Sequence, residues 1–284
     1  VGGKGQQLAD LLPLIPYARG YVEPFGGGGT VLLNRHPSEL EVYNDLNEDV
    51  VTLFRVMRDP VQFAEFSHLV EHTPWSKDDF RLALALQQHA RLGTQEVKPF
   101  ERAWALYVIQ NMGISGSHSK SQGNWSRSLA DSKNTVKWYK RYEKLDAVHR
   151  RFRYVQIDSQ DALACMLYWD APDVVHYVDP PYVLDTRGGR AYYEYEMADE
   201  EHVRLVEVLL QLQGLVVLSG YDHPVYQPLV EAEWNMTEYA AHAYAKIVSA
   251  EKGEAKPTRV EAVWRNPACL AASRQLSLLD LAER

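Results

Sequence analysis

Two kinds of apolar pattern alternate along the chain. Short continuous apolar runs cover Tyr21–Phe25, Leu40–Tyr43, Tyr154–Ile157, Val174–Val178 and Leu215–Leu218. Runs of that length predict buried strands of a parallel sheet. Thr237–Tyr244 and Arg259–Trp264 pair as two final strands, joined by the charged segment Glu251–Lys256. Between the runs, apolar residues recur at helical spacing. Leu8, Leu11 and Leu12 make one such face, a helix begins at Thr30, and another runs from its cap at Asp199 to about Gln213, where Gly214 stops it. Seven strands with helices between the earlier ones predict an α/β fold.

The sheet pattern stops between Asp49 and Arg153. Leu53, Phe54, Val56 and Met57 predict a helix there, and Phe80–Ala90 another. A third, Phe100–Met112, opens at Pro99 and ends at Gly113. A long polar loop, Gly113–Arg127, carries one exposed-looking aromatic, Trp125; loops of that length in compact domains are usually functional or disordered. Asn134–Arg151 follows as a single basic helix. The expected organisation is a sheet domain over 1–52 and 153–270, a mostly helical insert over 53–152 and a tail over 271–284.

Charge sharpens the reading of the insert. The whole chain of 284 residues carries a formal −8, which does not suggest a nucleic-acid binder. Yet His118–Arg153 holds ten Lys and Arg against three acids, a local +7 on a body of −15. One basic segment on an acidic body suits a face for a polyanion; a solvated helix face is the plainer alternative. Cys165 and Cys269 lie far apart in no metal-binding spacing, so a reducing, cytoplasmic setting and no metal are expected. No apolar run reaches about 18 residues and no leader pattern shows, so neither a membrane span nor a signal peptide is expected. Val1 is not an initiator Met, so the natural chain is expected to begin earlier.

The chemistry concentrates after Val174–Val178, at Asp179-Pro180-Pro181-Tyr182. Two prolines cannot continue a ladder, so Asp179 is held at the carboxyl end of a strand, where open α/β sheets put their ligands. Asp179 and the Pro180 carbonyl can accept the two protons of an exocyclic amino group while Tyr182 stacks on its ring. A capped turn is the bland alternative. The run Gly26–Gly29 lies between a strand and a helix, where glycines let a ligand approach the backbone. Asp45 follows Gly26 by nineteen residues, the distance at which βαβ folds set an acid on a ribose hydroxyl. A nicotinamide dinucleotide could use the same layout, but Val31 occupies its third glycine position.

Taken together, these residues resemble the Dam-like (D12 class, alpha group) DNA adenine-N6 methyltransferases. Gly2-Gly3-Lys4 matches that family's opening motif, Glu23-Pro24-Phe25-Gly26-Gly27-Gly28-Gly29 its S-adenosylmethionine loop, Asp45-Leu46-Asn47 its ribose-binding segment and Asp179–Tyr182 its catalytic motif. Arg259–Trp264 resembles its closing strand. The resemblance implies a Rossmann-like methyltransferase fold, a seven-stranded mixed sheet with a helical target-recognition insert. It implies that Asp179, Pro180, Pro181 and Tyr182 are catalytic. It also implies that Lys4, Phe25, Gly26 and Gly28 border the methionine part of S-adenosylmethionine, that Asp45 holds its ribose, that Asp161 accepts from its adenine amino group, and that Asp179 touches target and cofactor alike. Methylation of adenine N6 at a specific double-stranded DNA sequence, by base flipping, is the implied activity. Cytosine-N4 or RNA methylation, glutamine-side-chain methylation and a non-catalytic DNA-binding relative are the alternatives. DNA contacts are expected from Asn124, Trp125, Arg127, Lys137, Arg150 and Arg151. The tail Gln275–Leu279 resembles a sliding-clamp-binding peptide, with an amphipathic turn as its plain alternative.

Overall fold

Each apolar run becomes a strand of one sheet: β1 (Gly20–Glu23), β2 (Leu40–Asn44), β3 (Gln156–Asp158), β4 (Val174–Val178), β5 (Leu215–Gly220), β6 (Asn235–Ala241) and β7 (Arg259–Arg265). The structure, a computed structural model, describes residues 4–114, 124–126, 133–187, 196–241 and 259–272. Among these residues the strand order is β3-β2-β1-β4-β5-β7-β6. β1 to β5 run parallel, and β7 enters antiparallel between β5 and β6. The result is a Rossmann-like α/β fold with a mixed sheet. From β1 the chain winds outward through β2 to β3, then returns to place β4 on the other side of β1. At such a reversal the loops leaving the two central strands part to opposite faces and open a crevice.

The helices are α1 (Leu8–Leu11), α2 (Thr30–Asn34), α3 (Glu48–Arg58), α4 (Pro60–His72), α5 (Lys77–Leu92), α6 (Pro99–Met112), α7 (Lys133–Tyr142), α8 (Leu145–Phe152), α9 (Ala162–Trp169), α10 (Asp199–Leu209) and α11 (Gln227–Glu231). Alternate strand residues serve the two faces of the sheet. Tyr21, Tyr43, Val175, Val217 and Val263 pack with Phe54 of α3 and Phe152 of α8. Val178, Val216, Leu218 and Trp264 point the other way and pack with Leu205 of α10 and Leu229 of α11. A separate helical core holds Phe66, Phe80, Trp104, Met112 and Trp138. Helix α3 belongs to both bodies: Val50 and Phe54 face the sheet cluster, Val56 and Met57 the helical one. The expected division after residue 52 therefore falls inside one helix rather than in a linker.

Several boundaries differ from the sequence reading. Asn134–Arg151 is two helices, not one. The chain turns at Glu143 and Lys144 so that Trp138 can sink into the helical core while Phe152 reaches the sheet. α10 stops at Leu209 because the Asp170 carboxylate takes the Gln213 and Gly214 amides at 2.8 and 2.9 Å, turning the chain into β5. Asp199 sits in the first turn rather than at the cap, which is Ala198, whose amide is held by Glu201 at 2.8 Å. α4 and α9 were not foreseen. Each begins at an Asp cap, Asp59 and Asp161, whose carboxylate accepts two amides of the first turn. β1 ends at Glu23, two residues early, because Pro24 has no amide to donate and the Gly26 amide turns onto the Asn44 carbonyl at 2.7 Å.

Candidate functional site

A cavity of about 550 Å³ opens at the carboxyl ends of β1, β2 and β4, the crevice that the strand order predicts. Lys4, the segment Glu23–Gly28, Asp45 and Asp179 line it. Helix α6 of the insert closes it from the other side with Tyr107, Gln110 and Asn111. Sequence reasoning missed this wall, because periodicity marks a helix's apolar face without saying which body that face meets.

The glycine segment is fastened to the end of β2. The Gly27 amide donates to Asp45 Oδ2 at 2.7 Å, and the Tyr43 hydroxyl donates to the Gly27 carbonyl at 2.6 Å. Gly26 is required by packing: a Cβ there would stand 2.2 Å from the Tyr43 ring. Gly28 is different. A Cβ on it would meet nothing closer than Thr30 Oγ1 at 3.6 Å, so the space beside it belongs to the cavity. Asp45 also accepts from the Asn47 amide at 2.8 Å, and burial raises its carboxyl above the usual range, with those two amides working against the rise. Each of its oxygens keeps a second acceptor position.

Asp179 follows the last residue of β4, with its side chain 24% exposed. Its Oδ1 lies 3.4 Å from the Lys4 ammonium, which also donates to the Tyr182 hydroxyl, to Ser219 Oγ at 2.7 Å and to Glu261 Oε2 at 2.9 Å. Burial pushes the Asp179 carboxyl up; Lys4 opposes the rise and Glu261 adds to it. Glu23 is buried beneath the same site. It accepts from the Tyr21 hydroxyl at 2.5 Å and the Leu32 amide at 2.7 Å, and burial pushes its carboxyl to about 7. Pro180 is buried and Pro181 lines the cavity. Tyr182 is half-buried and meets Tyr221 edge-on, 4.8 Å between ring centres.

The residues expected to contact a cofactor are only partly gathered here. Lys4, Phe25, Gly26, Gly28, Asp45 and Asp179 share the cavity. Asp161 does not line it. One of its oxygens caps α9 through the Leu163 and Ala164 amides, 3.0 Å each, and the neighbouring Ala162 reaches the cavity wall instead. The residues present suit an adenosine with an amino-acid arm: the volume is ample, Asp45 offers acceptors for ribose hydroxyls, and the open side of Gly28 admits close contact with the backbone.

On the insert, Asn124, Lys137 and Arg150 are exposed, Arg150 in an i,i+4 pair with Asp146. Trp125 is not the exposed aromatic that the loop suggested. It is half-buried against the helical core, in a bridge with Gly113. Arg151 also departs from its expected role. Its guanidinium is bound to both oxygens of buried Glu41 and to the Leu32 carbonyl at 2.8 Å, which leaves it no face for a polyanion. Arg127 and the tail Gln275–Leu279 lie outside the described residues.

A family model described as D12 class N6 adenine-specific DNA methyltransferase matches residues 1–258. The Type II methyltransferase M1.LlaDCHI of Lactococcus lactis subsp. cremoris is 25% identical over 267 residues, 89% of this chain and 90% of its own. The Type II methyltransferase M.MjaIII of Methanocaldococcus jannaschii is 23% identical over 258 residues, 81% of this chain and 86% of its own. A solved structure, the rRNA methyltransferase aviRa from Streptomyces viridochromogenes, covers 94% of this chain and 84% of its own at 14% identity. The TM-score of that match is 0.34.

Proposed function

The chain belongs to the D12 class of N6 adenine-specific DNA methyltransferases, and from that premise we propose that it moves the methyl group of S-adenosylmethionine to adenine N6 within one specific duplex DNA sequence, on a base turned out of the helix. The observation that carries the reading is Asp179, held at the end of β4 by the two prolines, in one cavity with Gly28 and Asp45. The cofactor's chemistry is a methyl group made electrophilic by its sulfonium. Lys4, Phe25, Gly26 and Gly28 would border its amino-acid arm and Asp45 would take the ribose. The amine of adenine is a poor nucleophile because its lone pair is drawn into the ring. Asp179 and the Pro180 carbonyl would accept hydrogen bonds from it and aim its lone pair at the methyl carbon, while Tyr182 would offer its ring to the base; the demethylated donor, S-adenosylhomocysteine, would then leave and the surplus N6 proton would pass to solvent after transfer. This is catalysis by orientation and fixed charge rather than by strong-base abstraction. Extruding the base costs a few kcal/mol, which stacking worth about 1–3 kcal/mol partly offsets.

Both similar proteins carry Type II names, which supports a modification role beside a restriction enzyme. Cys165 and Cys269 are buried free thiols, in accord with a cytoplasmic setting. Incubation with methyl-tritiated donor and duplex DNA, followed by digestion to nucleosides, tests the function. Label in N6-methyl-2′-deoxyadenosine supports it; label in N4-methyl-2′-deoxycytidine, in protein or nowhere overturns it.

Asp45→Ala tests the cofactor reading. Losing a charge-assisted bond should cost about 1.5–3 kcal/mol, at least a ten-fold rise in the donor's dissociation constant, with DNA binding in the absence of donor unchanged. An unaltered constant would put the ribose elsewhere. For the DNA face we propose Asn124, Lys137 and Arg150. Lys137→Ala and Arg150→Ala should each weaken binding to all sequences alike and reduce the salt slope by about one. A slope that stays the same in both variants would take that face off the duplex.

A further inference from the structure

Among the described residues two carboxylates flank Lys4, and Asp179 is the more distant of them. The ammonium reaches Glu261 Oε2 at 2.9 Å and Asp179 Oδ1 at 3.4 Å. Only the first is a good hydrogen-bond length. Glu261 is itself fixed: it is 6% exposed, and Gln7 Nε2 donates to its other oxygen at 2.9 Å. Ser219 Oγ at 2.7 Å helps to hold the ammonium on that side. A buried ammonium with no other counter-ion would close on Asp179, occupy its lone pairs and make it a weaker acceptor.

The geometry points to Glu261 as a positioning residue that draws the Lys4 ammonium away from Asp179, so that Asp179 stays available to the amino group of the substrate. This rests on the function proposed above and names a further residue of the same site. The two strands that hold the pair explain how it arises. β5 runs parallel and ends in Ser219 and Gly220; β7 runs back beside it, so the first residues of β7 stand at the same end of the sheet. Glu261 thus reaches the crevice from a strand that begins there.

Among the described residues, the charged and titratable groups facing Asp179 are Lys4, Glu261, Glu23, Tyr177, Tyr182 and Tyr226. Glu261 raises the Asp179 carboxyl and Lys4 lowers it, so loss of the Glu261 charge lowers it twice over: directly, and by releasing Lys4 toward Asp179. The acid limb of the rate profile then moves to lower pH. Burial pushes the Glu23 carboxyl to about 7, so the readout is the difference between the two profiles rather than either limb alone.

The test uses the full chain with duplex DNA and S-adenosylmethionine. Glu261→Gln should lower kcat about a hundred-fold, the cost of a misplaced reacting group, with the KM for the donor little changed and the acid limb shifted down. Ser219→Ala should move kcat and the acid limb the same way by less, and it reports even if the first variant does not fold. In a Lys4→Met background, Glu261→Gln should cost nothing more. Wild-type kcat with an unmoved acid limb in Glu261→Gln or Ser219→Ala, or a loss that persists undiminished without Lys4, overturns the inference while leaving the function intact. A wild-type protein that transfers no methyl group overturns the function, and the inference with it.

Discussion

Asp179→Ala is expected to abolish methyl transfer and leave the protein folded. The loss of turnover should be at least about 10²–10³-fold, the usual effect of removing one fixed hydrogen-bonding group aimed at a transition state. The fold should survive for a reason visible in the site. Lys4 keeps Glu261 and Ser219 as partners, so no buried cation is orphaned. The sign of the proton linkage also favours the variant. Burial raises the Asp179 carboxyl in the folded state, so the folded chain holds that proton to higher pH than the unfolded chain does. Its contribution to stability is greatest at low pH and falls as pH rises from the unfolded value through the raised one. At neutral pH the ionised carboxylate is a cost to the fold, and its removal should leave Tm unchanged or raise it. Circular dichroism melts beside the activity assay check both halves. Inactivity with a collapsed Tm would make Asp179 structural, and retained turnover would end the mechanism.

Glu41→Ala is expected to destabilise the fold by about 3–5 kcal/mol, the usual cost of breaking a buried ion pair from one side. Glu41 is 3% exposed on β2 and takes Arg35 at 2.9 Å, the Ser38 amide at 3.2 Å and both terminal nitrogens of Arg151. Arg35 is nearly as enclosed, with its guanidinium 3.9 Å from the Tyr21 ring centre, so losing its carboxylate strands a charge. Arg151 would also lose its tie between α8 and the sheet. Urea denaturation measures the change; a shift below about 1 kcal/mol would mean the cluster relaxes into solvent without loss. Methyl transfer by the fraction still folded should be unaffected, the opposite pattern to Asp179→Ala.

The contrast between these two residues shows what the sequence reveals and what it hides. Asp179, the glycines after β1 and Asp45 were legible because parallel strands put their last residues at one end of the sheet, and each such residue stands beside its apolar run in the sequence. Glu261 was not, because on an antiparallel strand the first residues reach that end, and nothing local in Arg259–Trp264 marks it. Arg151 counted as part of a basic face because its partner, Glu41, is 110 positions away. Trp125 suffered likewise: a polar loop around an aromatic looks exposed until Gly113 pairs with it and the helical core takes the ring. Asp161 shows an ambiguity of another kind. An aspartate before an apolar run is as good a helix cap as it is a ligand, and here one oxygen has gone to the cap. The break between α7 and α8 was hidden because two basic helices in succession keep one periodicity until their apolar residues are drawn to different cores.

Long-read sequencing of DNA from cells expressing the wild-type chain or Asp179→Ala tests the central claim most directly, since it reports the modified base and its context together. The account predicts N6-methyladenine at one short sequence in the wild-type cells and none in the variant's. Equal methylation in both, modified cytosine in place of adenine, or unmodified DNA in the wild-type cells would contradict it.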